Sequence, residues 1–247
     1  NKIFSIVIFT DLDGSLLHRE TFKFDQIKKY IKSLIDNGII IIPNTSKTEK
    51  EIEKFNKELG VELPYISENG SSIHGLNLIN ANFPNRIVLS RSKDELLKIF
   101  NNKVSEKLRN KCIQIFNINK KEQEKIFGLQ STKIILASKR NYSLPIQFMG
   151  NEIEKKEFFK IINDVGLTVQ TGGRIMNICD NVNKSKGMSK ALLLISKELD
   201  DEIITIGVGD NENDIEMIKQ TNHPCLVKND NFNSSLINIC LLYTSDA

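Results

Sequence analysis

Apolar residues run along this chain in two rhythms. Residues 3–9 are almost continuously apolar, and so are 39–42 and 203–208. Such runs suit strands covered on both faces, as in a parallel sheet. Between the first two, Ile27, Tyr30, Ile31, Leu34 and Ile35 recur at helical spacing, with Asp25 in the first turn and Asn37-Gly38 as a stop. The pattern predicts helices over 24–37 and 48–59 and a short strand over 64–66. Strand and helix therefore alternate through the first seventy residues. Alternation resumes late, with a helix over 186–199, the strand at 203–208, a helix over 212–220 and a strand over 224–227.

The stretch between is differently built. Strands are expected over 86–89, 146–149, 167–170 and 174–178, and helices over 93–108, 120–127, 132–137 and 152–165. Grouped strands and helices of this kind predict a small α+β unit inserted into an α/β domain.

Composition narrows the class of protein. With 34 Lys and Arg against 31 Asp and Glu, the net charge of +3 is too slight to argue for nucleic acid or an anionic membrane. No apolar stretch reaches the ~18 residues of a membrane span. The first apolar run lacks the basic flank and small-residue cleavage site of a signal peptide. Cys112, Cys179, Cys225 and Cys240 form no C-x-x-C pair and read as reduced thiols of a cytoplasmic protein. His18, His74 and His223 form no ligand motif. The final stretch, CLLYTSDA at 240–247, resembles translated adapter sequence and is expected to carry no function.

The chemistry gathers just past strand ends, where open α/β sheets bind ligands. The first strand runs into Asp11-Leu12-Asp13-Gly14, and the strand at 203–208 into GDNEND at 209–214, which holds Asp210 and Asp214. One Asp-Gly turn is ordinary. Two carboxylate clusters, each after a buried strand, suit a shared cation, and oxygen ligands of this kind suit Mg²⁺ with a phosphate. Thr45, after the second strand, offers a hydroxyl and an N–H to a phosphate oxygen, or else caps the next helix. Lys186, near a helix start, is placed to face an anion, although a lone lysine there is equally at home in solvent.

Together these segments resemble the four motifs of the haloacid dehalogenase-like hydrolases: DLDGS at 11–15, Thr45, Lys186 and GDNEND. The resemblance implies a Rossmann-like parallel-sheet core formed by 1–82 and 184–247, with an α+β cap inserted over 83–183. It implies Asp11 as nucleophile and Asp13 as general acid and base. It further implies Mg²⁺ held by Asp11, the Asp13 carbonyl, Asp210 and Asp214, with Thr45 and Lys186 on the transferring phosphoryl group.

Several stretches are similar to the mannosyl-3-phosphoglycerate phosphatase family: NTSKTEKEI at 44–52, SENGSSI at 67–73, SKRNYSLP at 138–145, TGGRIMNI at 171–178 and KSKGMSKAL at 184–192. Carried over, they imply substrate contacts at Lys47, Asn69, Arg140, Gly172, Gly173 and Arg174, the last able to pair bidentately with a phosphate or carboxylate. Ser15 stands where the family has Thr, Leu144 where it has Glu and Asn177 where it has His. The expected substrate is a small phosphorylated sugar acid. A broad sugar-phosphate phosphatase and a phosphosugar mutase are the alternatives. The sequence leaves the oligomeric state open.

Overall fold

The computed structural model describes residues 4–18, 21, 23–172, 175–199, 202–228 and 240–242. They form two compact units. The first comprises 1–46, 54–89 and 183–247, the second 47–53 and 90–182.

In the first unit the elements are β1 (Phe4–Thr10), α1 (Asp25–Asp36), β2 (Ile40–Pro43), α2 (Glu49–Leu59, whose first residues fall in the second unit), β3 (Tyr65–Ser67), β4 (Ser72–His74) and β5 (Arg86–Val88). The second unit follows with α3 (Lys93–Lys103), α4 (Glu106–Arg109), β6 (Cys112–Gln114), α5 (Lys120–Phe127), α6 (Ser131–Ala137), β7 (Ser143–Phe148), α7 (Glu152–Asp164), β8 (Leu167–Gly172) and β9 (Ile175–Asp180). The chain returns to the first unit with α8 (Lys184–Glu198), β10 (Glu202–Gly209), α9 (Glu212–Lys219), β11 (His223–Val227) and β12 (Cys240–Leu242). Among the described residues, no helix is long and apolar enough to cross a membrane.

The apolar runs become the centre of a five-stranded sheet in the order β12-β11-β10-β1-β2, every neighbour parallel. A bridge between Asn44 and Ile66 brings β3 alongside β2, and β3, β4 and β5 pair antiparallel. Val7, Phe9 and Ile42 from the sheet pack with Met188, Ala191 and Ile195 of α8 and Met217 and Ile218 of α9. Burial of the side chains larger than alanine among these contributes roughly 1.5–3 kcal/mol each. From β1 the chain moves to β2 on one side and later to β10 on the other. The carboxyl ends of β1 and β10 therefore flank a topological switch point.

Strand β5 lies in the first unit, although the sequence pattern groups it with the insertion, because its partner is β4. Part of the terminal segment expected to carry no function joins the sheet: β12 pairs with β11 from Cys225↔Cys240 to Val227↔Leu242. Residues 243–247 lie outside the described residues.

The second unit carries a four-stranded antiparallel sheet, β6-β7-β9-β8. Leu144 and Ile146 of β7 and Ile178 of β9 pack with Leu96, Phe100, Phe158 and Ile162 of α3 and α7. The helix expected over 93–108 is two helices. Val104 is extended, and the Ser105 side chain accepts from the Leu108 N–H to start α4 afresh. Strands β4 and β6, of three residues each, are additions to the expected elements.

At the edges of this unit Arg91 and Asp180 form a two-pronged pair. Arg91 Nε donates to Asp180 Oδ2 at 3.0 Å and Nη2 to Oδ1 at 2.9 Å, while the Arg91 backbone N–H also reaches Oδ2 at 2.9 Å. The guanidinium bond holds the Asp180 carboxyl down at about 2, against the opposing effect of partial burial and with help from backbone N–H groups. A depressed carboxylate stabilises the fold above its unfolded pKa and loses that contribution as pH falls through the folded one. Replacing Asp180 by Asn should therefore lower the thermal midpoint near neutrality. The gap to the parent should close between about pH 4 and pH 2, as read by circular dichroism melts across that range.

Candidate active site

Two strand ends build the site. The Asp11 N–H donates to the Val208 carbonyl at 2.9 Å, extending the β1–β10 ladder by one residue before the chain turns. The turn closes with Gly14 N–H on Leu17 O at 2.9 Å and Leu17 N–H on Leu12 O at 2.8 Å, and fully buried Leu12 anchors it. Gly14 sits at φ 81, left-handed backbone that a side chain would disfavour. Across the switch point β10 ends at Gly209, and Asp210 and Asn211 lead into α9. A Cβ on Gly209 would lie 2.3 Å from the Cβ of Asp214, so the residue must be glycine for α9 to start this close. Asp214 Oδ2 accepts from the N–H groups of Asp210 and Asn211, both at 3.1 Å, and so caps its own helix.

The result is a buried acidic cluster. Carboxylate oxygens of Asp11, Asp210 and Asp214 lie within 4.8 Å of one another, and all three residues are buried. The sequence-expected Asp13 is in the turn, half-buried, with its side chain outside this cluster. Into the cluster comes a buried ammonium, that of Lys184. Its Nζ is 2.7 Å from Asp11 Oδ1 and 2.6 Å from Asp214 Oδ1.

The sequence points to Lys186, but the lysine that the structure brings to the aspartates is Lys184. Asn183 caps α8 by accepting from the Lys186 N–H at 2.8 Å, which makes Lys184 the first helical residue. Two residues on, Lys186 has turned by roughly 200° and is exposed to solvent. The signal for Lys184 was in the pattern. Stepping back along the buried stripe of Ile195, Ala191 and Met188 by helical intervals reaches residue 184.

Thr45 is buried just past β2, its N–H donating to Ile66 O at 3.1 Å and its carbonyl accepting from Asn69 N–H at 2.9 Å. Asn69 is buried in a left-handed turn, with φ of 44, 56 and 92 at Glu68, Asn69 and Gly70. A Cβ on Gly70 would lie 1.9 Å from the Asn183 carbonyl oxygen. The strained turn thus fits directly under the start of α8, where Lys184 begins.

The remaining expected residues fall in the second unit or outside the described residues. Lys47 is in the second unit, with Nζ 3.7 Å from Glu51 Oε1. Arg140 is also there, its Nε donating to Ser143 Oγ at 2.5 Å. Gly172 ends β8 opposite Ile175, while Gly173 and Arg174 lie outside the described residues. Leu144, which replaces a family Glu, is 4% exposed in the apolar core, so the change suits its surroundings. Asn177 is half-buried in β9, in register with Pro145 and Gln170.

Electrostatics follow from burial. Loss of water raises the Asp11 carboxyl to about 7; Lys184 opposes this, and Asp214 and Asp13 add to it. For Lys184 burial disfavours the charged form, but Asp11 and Asp214 outweigh it and hold the ammonium above the ordinary lysine range. Among the described residues Lys184 is the one buried lysine or arginine, against three buried carboxylates at its side. The cluster is short of positive charge and rich in hard oxygen donors, the setting a small divalent cation fits.

Replacing Lys184 by Met would leave Asp11 and Asp214 buried without their partner and should cost on the order of 3 kcal/mol. The same change at Lys186 should stay within about 0.5 kcal/mol. Urea unfolding of the two variants side by side reads the difference, and equal losses would show that the buried ion pairs of Lys184 contribute no more than a surface lysine does.

Comparison with known proteins fits this geometry. The chain is 29% identical over 247 residues to a glucosyl-3-phosphoglycerate/mannosyl-3-phosphoglycerate phosphatase of Persephonella marina, covering 95% of this chain and 89% of that one. It is 33% identical over 228 residues to a mannosyl-3-phosphoglycerate phosphatase of Pyrococcus horikoshii, covering 86% of each. In fold it is similar to a haloacid dehalogenase-like hydrolase from B. subtilis, with a TM-score of 0.64 at 14% identity over 95% of this chain and 94% of that one. The family model for haloacid dehalogenase-like hydrolases matches residues 8–245, from the middle of β1 to beyond the last described strand, and the chain belongs to that family.

Proposed function

We propose that this chain is a Mg²⁺-dependent phosphatase that hydrolyses mannosyl- or glucosyl-3-phosphoglycerate to the sugar glycerate and phosphate. The observation that carries the reading is the buried triangle of Asp11, Asp210 and Asp214 around one ammonium. Buried carboxylates in that number are costly for stability alone, whereas phosphoryl transfer needs positioning and concentrated charge more than any other help. The substrate class rests on the names of the relatives, which cover most of this chain.

Asp11, Asp210 and Asp214 would hold the cation. When bound, it supplies positive charge to the phosphoryl oxygens and to the carboxylates around it. A cation held there would also favour the ionised form of Asp11, which burial opposes. Asp11 attacks phosphorus, and its Oδ–P bond forms as the P–O bond to the sugar glycerate breaks. Asp13, protonated, gives its proton to the leaving oxygen. Asp13, now a carboxylate, takes a proton from a water whose oxygen attacks the aspartyl-phosphate. Phosphate leaves, and Asp11 returns as carboxylate and Asp13 as acid. Lys184 fixes the Asp11 oxygen and adds positive charge beside the transferring group, while Thr45 presents its hydroxyl to a phosphoryl oxygen.

With Mg²⁺ the protein should release phosphate from the sugar-3-phosphoglycerates faster than from simple hexose phosphates, and a chelator should stop it. Hexose phosphates outrunning them would point to a broad sugar phosphatase. Isomerisation of a sugar phosphate without phosphate release would point to a mutase. Asp11→Asn should abolish turnover with the fold intact, and residual activity above about a tenth would remove Asp11 as nucleophile. Asp13→Asn should cost ~10²–10⁴ in kcat, the range for a lost proton-transfer group.

A further inference from the structure

One buried side chain next to the site has no place in the mechanism above. Asn44 is wholly buried between β2 and Thr45. Its backbone N–H donates to the Thr10 carbonyl at 2.8 Å, one residue before Asp11, and it forms the bridge to Ile66 of β3. Its side chain crosses to the helices. Nδ2 donates to the backbone carbonyl of Lys184 at 2.8 Å and lies 3.2 Å from Met217 Sδ on α9. Both partners are acceptors, so the orientation of the amide is settled by chemistry: turned over, its oxygen would face them. The side-chain oxygen itself has no hydrogen-bond partner among the described residues. A buried amide that uses only its donor end is a costly way to fill space, since a leucine of similar size would leave nothing unsatisfied.

We propose that Asn44 is a positioning residue for Lys184. Its donor fixes the carbonyl of the first residue of α8, and with it the reach of the ammonium to Asp11 and Asp214. The same residue ties the strand that carries Thr45 to the helix start that carries Lys184. Three segments far apart in sequence are thereby held to one geometry. The glycine contacts at Gly70 hold the same helix start from the other direction, through Asn183. The inference rests on the phosphatase reading for its kinetic consequence and on hydrogen bonding alone for its structural one.

The test uses the full chain with Mg²⁺ and p-nitrophenyl phosphate, at a temperature where circular dichroism shows each variant folded. Asn44→Ala should lower kcat on the order of 10- to 100-fold, the cost of a displaced catalytic group, with KM within about threefold. Asn44→Asp keeps the shape but turns an acceptor toward the Lys184 carbonyl, and should do no better. Met217→Leu removes the sulfur but keeps the volume, and should keep kcat. Amide hydrogen exchange gives a reading that needs no activity. In Asn44→Ala the peptides spanning 184–188 should exchange at least about tenfold faster, with β1 and β10 unchanged. Should Asn44→Ala not fold, Asn44→Ser takes its place, with the same direction expected.

Unchanged exchange at 184–188, or a kcat within twofold of the parent, would overturn the proposal. A raised KM with kcat kept would also overturn it, because the amide would then serve binding instead of Lys184. A parent that releases no phosphate would sink the phosphatase reading, and the exchange experiment would still decide whether Asn44 holds Lys184.

Discussion

The structure turns on one ammonium placed between two carboxylates in the absence of water. Lys184 touches Asp11 at 2.7 Å and Asp214 at 2.6 Å, and all three are buried. Neither sign of charge would stay in that interior without the other. Asp11 comes from the end of β1, Asp214 from the first turn of α9 and Lys184 from the first turn of α8. Those three segments have to arrive together, or each leaves a stranded charge. The parallel sheet delivers the first two at a switch point, and the Gly209 and Gly70 contacts bring the two helix starts close enough for the lysine to span the gap.

That arrangement leaves charge unbalanced on purpose. One lysine beside Asp11, Asp210 and Asp214 does not neutralise them, and burial lifts Asp11 to about 7 as a result. A fold selected for stability alone would fill this space with apolar side chains. A fold that must bind a cation and a phosphate keeps the deficit and tolerates its cost. The left-handed turn at Glu68, Asn69 and Gly70 belongs to the same account, since backbone strain of this kind persists where surrounding contacts over-determine it.

The second unit shows the opposite economy. Its sheet packs one face on α3 and α7 around Leu144, Phe158 and Ile178, in ordinary apolar contact. Leu144, where the resembled family has a glutamate, points into this core, so an apolar residue suits the position. Asn177, one residue before Ile178, alternates to the other face of the sheet and is half-buried.

Much of this was legible in the chain. The apolar runs at 3–9, 39–42 and 203–208 specified a parallel sheet because only strands buried on both faces read that way. The carboxylates at their ends were legible as two clusters brought to one sheet edge, and the structure gathers Asp11, Asp210 and Asp214 there. Helix starts were less legible. The pattern points to Lys186 where Lys184 meets the aspartates, because a helix boundary shifts by two residues without changing composition, yet that shift swaps the solvent face for the core face. Strand β6 and the contacts of Asn44 were not legible, because each depends on a partner distant in sequence, whereas the split between α3 and α4 rests on the local Ser105 cap. The sequence by itself determined which residue types stand at the ends of which strands. Only the tertiary structure decided which lysine meets the aspartates and what holds it there, because a buried charge is placed by what packs around it and not by its neighbours in the chain.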